Sequence, residues 1–153
     1  MQKITFICVL IAFFCSGCVP ERTYPVEPEI RFIDISPSRV RENTDTIRIK
    51  FGFTDGDGDL GLDPADATRN DVQLTIKRLG YPPVSDIARL PNITPKGKNK
   101  AIVGEVQLTV QTAFLMAGIR EDTALLSYDI SILDRANHRS NTISTSTIVV
   151  KKP

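Results

Sequence analysis

The sequence has no tryptophan, only one histidine, and no cysteine after residue 18. Residues 19–153 therefore contain no disulfide, thiol nucleophile or thiolate metal site. The single histidine, His138, lies in a predicted turn, which favours a solvated side chain over a catalyst. No serine has a histidine and an acid at a recognisable spacing. These absences argue against thiol, zinc-thiolate and serine-triad chemistry.

The sequence also lacks an excess of either charge. It has 19 Lys and Arg against 18 Asp and Glu, and removing residues 1–17 takes away only Lys3, which leaves 18 − 18 = 0. A neutral chain without a basic run gives no electrostatic indication of nucleic-acid binding. The short cluster Lys96, Lys98 and Lys100 indicates a solvated hairpin. With no polybasic patch, attachment to a membrane would depend on acyl chains.

The longest apolar run, residues 4–14, is shorter than the about 20 residues that a transmembrane helix needs. It follows Lys3, as in a secretion signal, and leads into Cys15-Ser16-Gly17-Cys18. This stretch resembles the lipobox of bacterial lipoproteins, although Cys15 replaces the usual aliphatic residue. The resemblance implies a signal peptide over residues 1–17 and a Cys18 that carries diacylglycerol and an N-acyl chain. An ordinary secretory signal cleaved nearby is the alternative; an uncleaved membrane helix fits less well, because proline and charged residues end the run.

Residues 18–29 combine the lipidated cysteine with a proline-rich tether, in which Pro20, Pro25 and Pro28 favour an extended chain. Residues 30–153 contain several segments in which apolar and polar residues alternate, as they do in half-buried strands. Strands are predicted at 30–35, 46–53, 72–76, 101–110, 125–133 and 142–150, with 84–90 as an ambiguous edge strand. Residues 112–119 are either a helical turn or a loop. The pattern predicts an all-β, Ig-like antiparallel sandwich of about seven strands.

One loop carries recognisable chemistry. The segment from Asp55 to Asp63 places Asp55, Asp57 and Asp59 at alternate positions with glycines between them. Packing three anions in one turn is unfavourable unless a cation offsets their repulsion, and oxygen ligands in a flexible loop suit Ca²⁺ better than Mg²⁺. Asp63 ends the motif and is a further candidate ligand. The alternative is an Asp/Gly-rich turn whose side chains cap backbone groups.

The loop is not an EF-hand, since Leu60 and Asp66 occupy the positions of that motif's glycine and glutamate. In a sandwich of this kind, the loops after the second and sixth predicted strands emerge at the same end. Asp134 and Asn137 are therefore expected near the aspartates, as sources of further oxygen ligands. Arg135 or Arg139 would be an alternative means of neutralising the carboxylates by salt bridges.

A lipobox, a proline-rich tether, the stretch Phe-Thr-Asp-Gly-Asp-Gly-Asp-Leu-Gly-Leu and a late Ile-Leu-Asp-Arg-Ala-Asn occur together in this chain. This combination resembles the small Ig-like lipoproteins of Bacteroidetes. The resemblance implies a β-sandwich, Asp55, Asp57 and Asp59 as a shared loop motif, and an outer-membrane or cell-surface address. It leaves open whether the domain faces the periplasm or the exterior.

Three functions are compatible with these features. The first is a non-enzymatic envelope module anchored by lipid and ordered by structural Ca²⁺, with a role in adhesion, ligand binding or assembly with another envelope protein. The second is a lipoprotein that captures a glycan or peptide at the same loop end, for which an exposed aromatic patch near Tyr81 or Tyr128 is expected. The third is a carboxylate-dependent hydrolase, to which closely spaced aspartates are a poor match.

Overall fold

The computed structural model describes residues 23–63, 65, 68–93 and 100–153. The predicted signal peptide, Cys18 and the start of the tether lie outside these ranges, as do Asp66, Lys96 and Lys98. No helix in the described part of the chain is long and apolar enough to cross a membrane.

Nine strands account for the regular structure of the described residues. They are β1 (Glu29–Ser36), β2 (Arg39–Arg41), β3 (Thr46–Asp55), β4 (Val72–Arg78), β5 (Tyr81–Ala88), β6 (Ile102–Gln111), β7 (Thr123–Ile132), β8 (Ile143–Ser144) and β9 (Ile148–Lys151). Their apolar residues alternate along β3 and β7, so that one face of each strand is buried. The ambiguous segment at 84–90 belongs to β5, which lies at the edge of its sheet.

The strands form two sheets, which confirms the predicted all-β sandwich. One sheet has the order β1-β3-β6, and the other has the order β2-β9-β7-β4-β5, with β8 paired to β7. Strands β1, β3 and β6 correspond to A, B and E of the Ig fold, and β4, β7 and β9 correspond to C, F and G. All pairs are antiparallel except β2 with β9, which is parallel.

The strand count differs from the predicted seven at two places. Strand β2 has only three residues, which is too short for an alternating pattern to be recognised. The last predicted strand is split, because residues 145–147 lie opposite only two residues of β7 between the β8 and β9 pairings. There the Tyr128 amide donates to the Thr145 hydroxyl at 3.0 Å, and the Thr145 amide donates to the Tyr128 carbonyl at 2.9 Å.

The segment 112–119 forms consecutive turns rather than a helix, the second of the two predicted alternatives. Phe114 and Gly118 have φ angles of 61° and 76°, in the left-handed region that interrupts a right-handed helix. The Glu42 carboxylate accepts a hydrogen bond from the Met116 amide at 2.7 Å and fixes the segment to the β2–β3 loop.

The core lies between the sheets and is built from aliphatic residues, Phe and Tyr. Ile47, Ile49 and Phe51 of β3 are fully buried, and Tyr128 and Ile130 of β7 face them from the other sheet. Because successive strand residues point to opposite faces, this burial fixes the register of both strands. It also fixes where each strand ends, and thus which loop residues meet at the end of the sandwich.

Candidate metal centre

The aspartate cluster, defined as Asp55, Asp57, Asp59 and Asp134, lies where one strand of each sheet ends. Asp55 is the last residue of β3, and Asp134 follows two residues after the end of β7. Each of the four contributes a carboxylate oxygen, and these oxygens all lie within 4.8 Å of one another. Asp55 and Asp134 have no exposed surface, whereas the other two are partly exposed.

Hydrogen bonds hold the two loops together. The Asp59 amide donates to Asp55 Oδ2 at 2.9 Å, which closes the loop on itself. Asp59 Oδ2 accepts from the Ala136 amide at 3.1 Å, which ties this loop to the one after β7. Asp134 accepts from the His138 amide at 2.7 Å and pairs with its ring Nδ1 at 2.8 Å, so both of its oxygens are oriented. Three of the four carboxylates, those of Asp55, Asp59 and Asp134, are therefore positioned by hydrogen bonds.

Three oxygens of the cluster have no hydrogen-bond partner within the described residues, although they are buried: Oδ1 of Asp55, of Asp57 and of Asp59. A buried carboxylate oxygen is costly unless a proton, a hydrogen-bond donor or a cation compensates it. Burial, followed by the charge of Asp57, raises the pKa of Asp55 to about 6. Burial and the charges of Asp134 and Asp57 also raise the pKa of Asp59.

The donor set indicates which cations fit. All four side chains offer oxygen, which hard cations such as Ca²⁺ and Mg²⁺ prefer. Two ligands on opposite sides of a Ca²⁺ ion, each at 2.3–2.6 Å, are about 5 Å apart. The separations in the cluster lie within that limit. The cluster is thus compact enough for all four carboxylates to share one Ca²⁺ ion.

The glycines of the motif are required by neighbouring chain segments. Gly58 has a φ angle of 71°, and a Cβ atom there would overlap the carbonyl oxygen of Lys100. Gly56 donates its amide to the carbonyl of Pro25 at 2.8 Å, and a Cβ there would overlap the same proline. The end of the predicted tether therefore packs directly on the aspartate loop.

Two predicted ligands have partners outside the cluster. Asp63 is exposed and accepts a hydrogen bond from Asn92 Nδ2 at 2.6 Å. Asn137 also follows β7, but its side-chain oxygen accepts from Arg69 Nη2 at 3.0 Å. Its φ angle of 72° marks a tight turn. The structure thus groups Asp134 with the three alternating aspartates, whereas Asp63 is paired with Asn92 and Asn137 with Arg69.

The two arginines proposed as alternative partners differ in their relation to the cluster. Arg135 donates through Nη1 to the Gly61 carbonyl at 3.1 Å, and its charge lowers the pKa of Asp59 against the larger opposing effects. Arg139 donates to Gln73 Oε1 at 2.7 Å and to Ser131 Oγ at 3.1 Å. Asp134 Oδ2 also lies 2.8 Å from His138 Nδ1, which makes an ion pair when the imidazole is protonated.

Comparison with known proteins leaves the family open. No protein-family model matches the chain, and no characterised protein matches it in sequence. A Niemann-Pick type C2 protein from the Japanese carpenter ant is 13% identical with a TM-score of 0.40, covering 87% of this chain and 98% of its own. A target of the Northeast Structural Genomics Consortium is 10% identical with a TM-score of 0.24, covering 84% and 86%. Likenesses this weak carry no functional argument.

His138 also contacts the aspartate cluster, through Asp134, and the sequence patterns did not indicate this contact. Its hydrogen bond to Asp134 raises the pKa of the imidazole, which favours the charged form beside the carboxylate. The sequence does place a histidine four residues after an aspartate in a short loop, but this spacing is too common to identify a pair.

The aromatic patch expected of a ligand-capturing surface is not found at Tyr128. That side chain is fully buried, and its hydroxyl has no hydrogen-bond partner within the described residues. Tyr81 is partly buried and donates its hydroxyl to Glu121 Oε2 at 2.6 Å. The acidic cluster is therefore the more distinctive feature of the loops between strands.

Proposed function

We propose that this protein is a lipid-anchored β-sandwich module of the cell envelope whose aspartate cluster binds Ca²⁺ in a structural role. The observation that carries the proposal is the convergence of four carboxylates, three of which have a buried oxygen that no described residue hydrogen-bonds. A divalent cation would satisfy these oxygens and remove the repulsion between their charges at the same time.

Calcium fits the cluster better than other common ions. Zinc sites use cysteine and histidine ligands, whereas the converging ligands here are carboxylates. Magnesium requires a strict octahedron and retains several waters, whereas Ca²⁺ accepts six to eight oxygens in variable geometry. Four carboxylates on two loops, completed by backbone carbonyls or water, suit the more flexible ion.

We propose a non-catalytic role, which the placement of the carboxylates supports. Glycoside hydrolysis requires two carboxyl groups about 5–10 Å apart on either side of the bond that is cleaved. One oxygen of each carboxylate lies within 4.8 Å of the others, and Asp55 and Asp134 have no exposed surface on which a substrate could bind. The site is arranged to hold an ion and to join two loops.

The lipid anchor is supported by the sequence around Cys18 and by the resemblance to Bacteroidetes lipoproteins, which also favours the outer membrane. We propose that Cys18 carries diacylglycerol and an N-acyl chain. A Cys18→Ala variant should lose incorporation of labelled palmitate and move from the membrane fraction to the aqueous one. Continued palmitate incorporation in this variant would disprove the assignment.

Thermal unfolding of the purified protein tests the metal role directly. The protein is unfolded in a mild non-ionic detergent with excess EDTA, with millimolar Ca²⁺ or with millimolar Mg²⁺. We expect the melting temperature to rise by several degrees in Ca²⁺ and much less in Mg²⁺, because a ligand that binds only the folded state stabilises it. Identical melting curves in the three conditions would reject a structural cation.

A further inference from the structure

A cavity of about 450 Å³ lies at the end of the sandwich opposite the aspartate cluster. We call it the basic pocket, and its polar lining residues are Arg39, Arg41, Thr44, Asp45, Thr123 and Lys151. The wall is formed by β2 and β9, the parallel pair at one edge of the larger sheet, together with the turn that follows β2. Its volume falls within the range of about 300–1,000 Å³ typical of small-ligand sites.

The register of the parallel pair brings the three cationic side chains together. Arg41 is paired with Lys151, and Arg39 is paired with Val149 two residues earlier on the same face. Neighbouring strands are about 4.8 Å apart, and residues i and i+2 are about 7 Å apart. Three positive side chains therefore start within about 9 Å of one another, around an apolar floor at Val149.

Among the described residues, no ion pair neutralises Arg39, Arg41 or Lys151, whereas Lys50 and Lys77 are paired with Glu105 and Asp129. The one carboxylate of the pocket, Asp45, accepts a hydrogen bond from the Arg41 backbone amide at 2.6 Å. This bond fixes the turn and leaves the Arg41 guanidinium available. The lining charges sum to +3 − 1 = +2.

We propose that the basic pocket binds the phosphoryl group of an anionic ligand. A phosphate monoester carries about −1.5 to −2 charges at pH 7, which matches the charge of the lining. Arginine side chains bind phosphate oxygens through two parallel hydrogen bonds, and the hydroxyls of Thr44 and Thr123 are further donors at the rim. A lone carboxylate would leave part of the positive charge uncompensated.

The phosphoryl group could belong to a free metabolite or to a lipid headgroup. The pocket lies opposite the end where the chain enters the domain at β1, so it faces away from the predicted anchor. Three soluble probes separate the sources: inorganic phosphate, glycerol 3-phosphate and dihexanoyl phosphatidic acid. Equal affinities for the three probes would indicate that the site binds the phosphoryl group alone. Tighter binding of the lipid would indicate a site for a lipid headgroup.

Amide NMR spectra of the purified protein test the proposal, with sodium chloride at equal ionic strength as the reference. We expect saturable shifts confined to residues around Arg41, Thr123 and Lys151. Arg41→Gln and Lys151→Gln should each weaken binding about tenfold or more, since each removes a charged hydrogen-bond donor. Neither change alters the backbone bond to Asp45.

Arg48→Gln provides the matched control, because it removes the same charge. Arg48 is exposed on the outer face of the other sheet. This variant should leave the affinity for each probe unchanged. The proposal is overturned if no probe gives saturable shifts, if chloride reproduces them, or if Arg48→Gln weakens binding as much as Arg41→Gln. Equal melting temperatures of the three variants will show that lost binding is not lost folding.

Discussion

Neutralising Asp57 distinguishes a cation site from an aspartate-rich turn, because this side chain contributes little besides its charge. Within the described residues, its carboxylate accepts no hydrogen bond, and its Oδ1 is buried. Asp55 and Asp59, by contrast, each accept a backbone amide. Asp57→Asn keeps the size and shape of the side chain, so the substitution removes one charge and replaces a carboxylate ligand by a neutral amide oxygen, without breaking a structural hydrogen bond.

The expected effect has opposite signs with and without calcium. Two carboxylate charges 4.8 Å apart repel each other by about 3 kcal/mol at an effective dielectric constant of about 20. Removing one charge should therefore leave the metal-free protein as stable as before or more stable. In the unsubstituted protein, a Ca²⁺ concentration of about 100 times the dissociation constant stabilises the fold by about 2.7 kcal/mol. For a domain of this size, that gain is about 10 °C in melting temperature.

Calorimetry in EDTA measures the effect of the charge repulsion on the melting temperature, and calorimetry in about 10 mM Ca²⁺ measures the stabilisation by the ion. We expect Asp57→Asn to melt at or above the unsubstituted protein in EDTA and to lose most of the calcium-dependent rise. Asp63→Asn is the matched control, because Asp63 belongs to the same motif but lies outside the cluster; it should keep the full rise. If Asp57→Asn lowers the melting temperature equally in both buffers, or if both variants retain the calcium effect, the metal site is refuted.

Three further predictions concern the stability of the fold. Tyr128→Phe should raise the free energy of unfolding by about 1 kcal/mol in urea titrations, since it removes a buried hydroxyl that no described residue hydrogen-bonds. A loss of stability would show that the hydroxyl has a hydrogen-bond partner. Gly58→Ala should destabilise the metal-free protein by more than about 1 kcal/mol and weaken calcium binding, since a Cβ would displace Lys100; calorimetry that finds it neutral would contradict the close packing. Asn141→Ala should cost about 2 kcal/mol in urea titrations, because Asn141 bonds both the amide and the carbonyl of Ile30, at 2.7 and 2.8 Å; an unchanged midpoint would show that these bonds contribute nothing net.

The sequence predicts the long strands well, because a strand that is buried on one side alternates regularly between apolar and polar residues. Ile47, Ile49, Phe51 and Phe53 alternate over a whole strand, and the structure buries all four. It does not predict β2, whose three residues are paired to β9 from a distant part of the chain. Such a pairing depends on tertiary contacts and has no local periodicity.

The candidate site was predictable to the extent that topology determines it. Strand order alone brings the loop after β7 to the end where β3 terminates, and Asp134 lies there beside Asp55. Topology does not determine which way a loop side chain points. The Asn137 side chain accepts a hydrogen bond from Arg69 on a residue with a left-handed backbone, and Asp63 lies beyond the turn at Gly61. Those outcomes depend on individual dihedral angles that spacing does not encode.

The contact between Pro25 and Gly56 determines where a tethered domain would bear mechanical load. In a chain anchored through Cys18, as proposed above, tension from the bilayer would reach the described fold first at Pro25, beside the aspartate loop, and only then at β1. An ion bound at this end would reinforce the point where the force arrives.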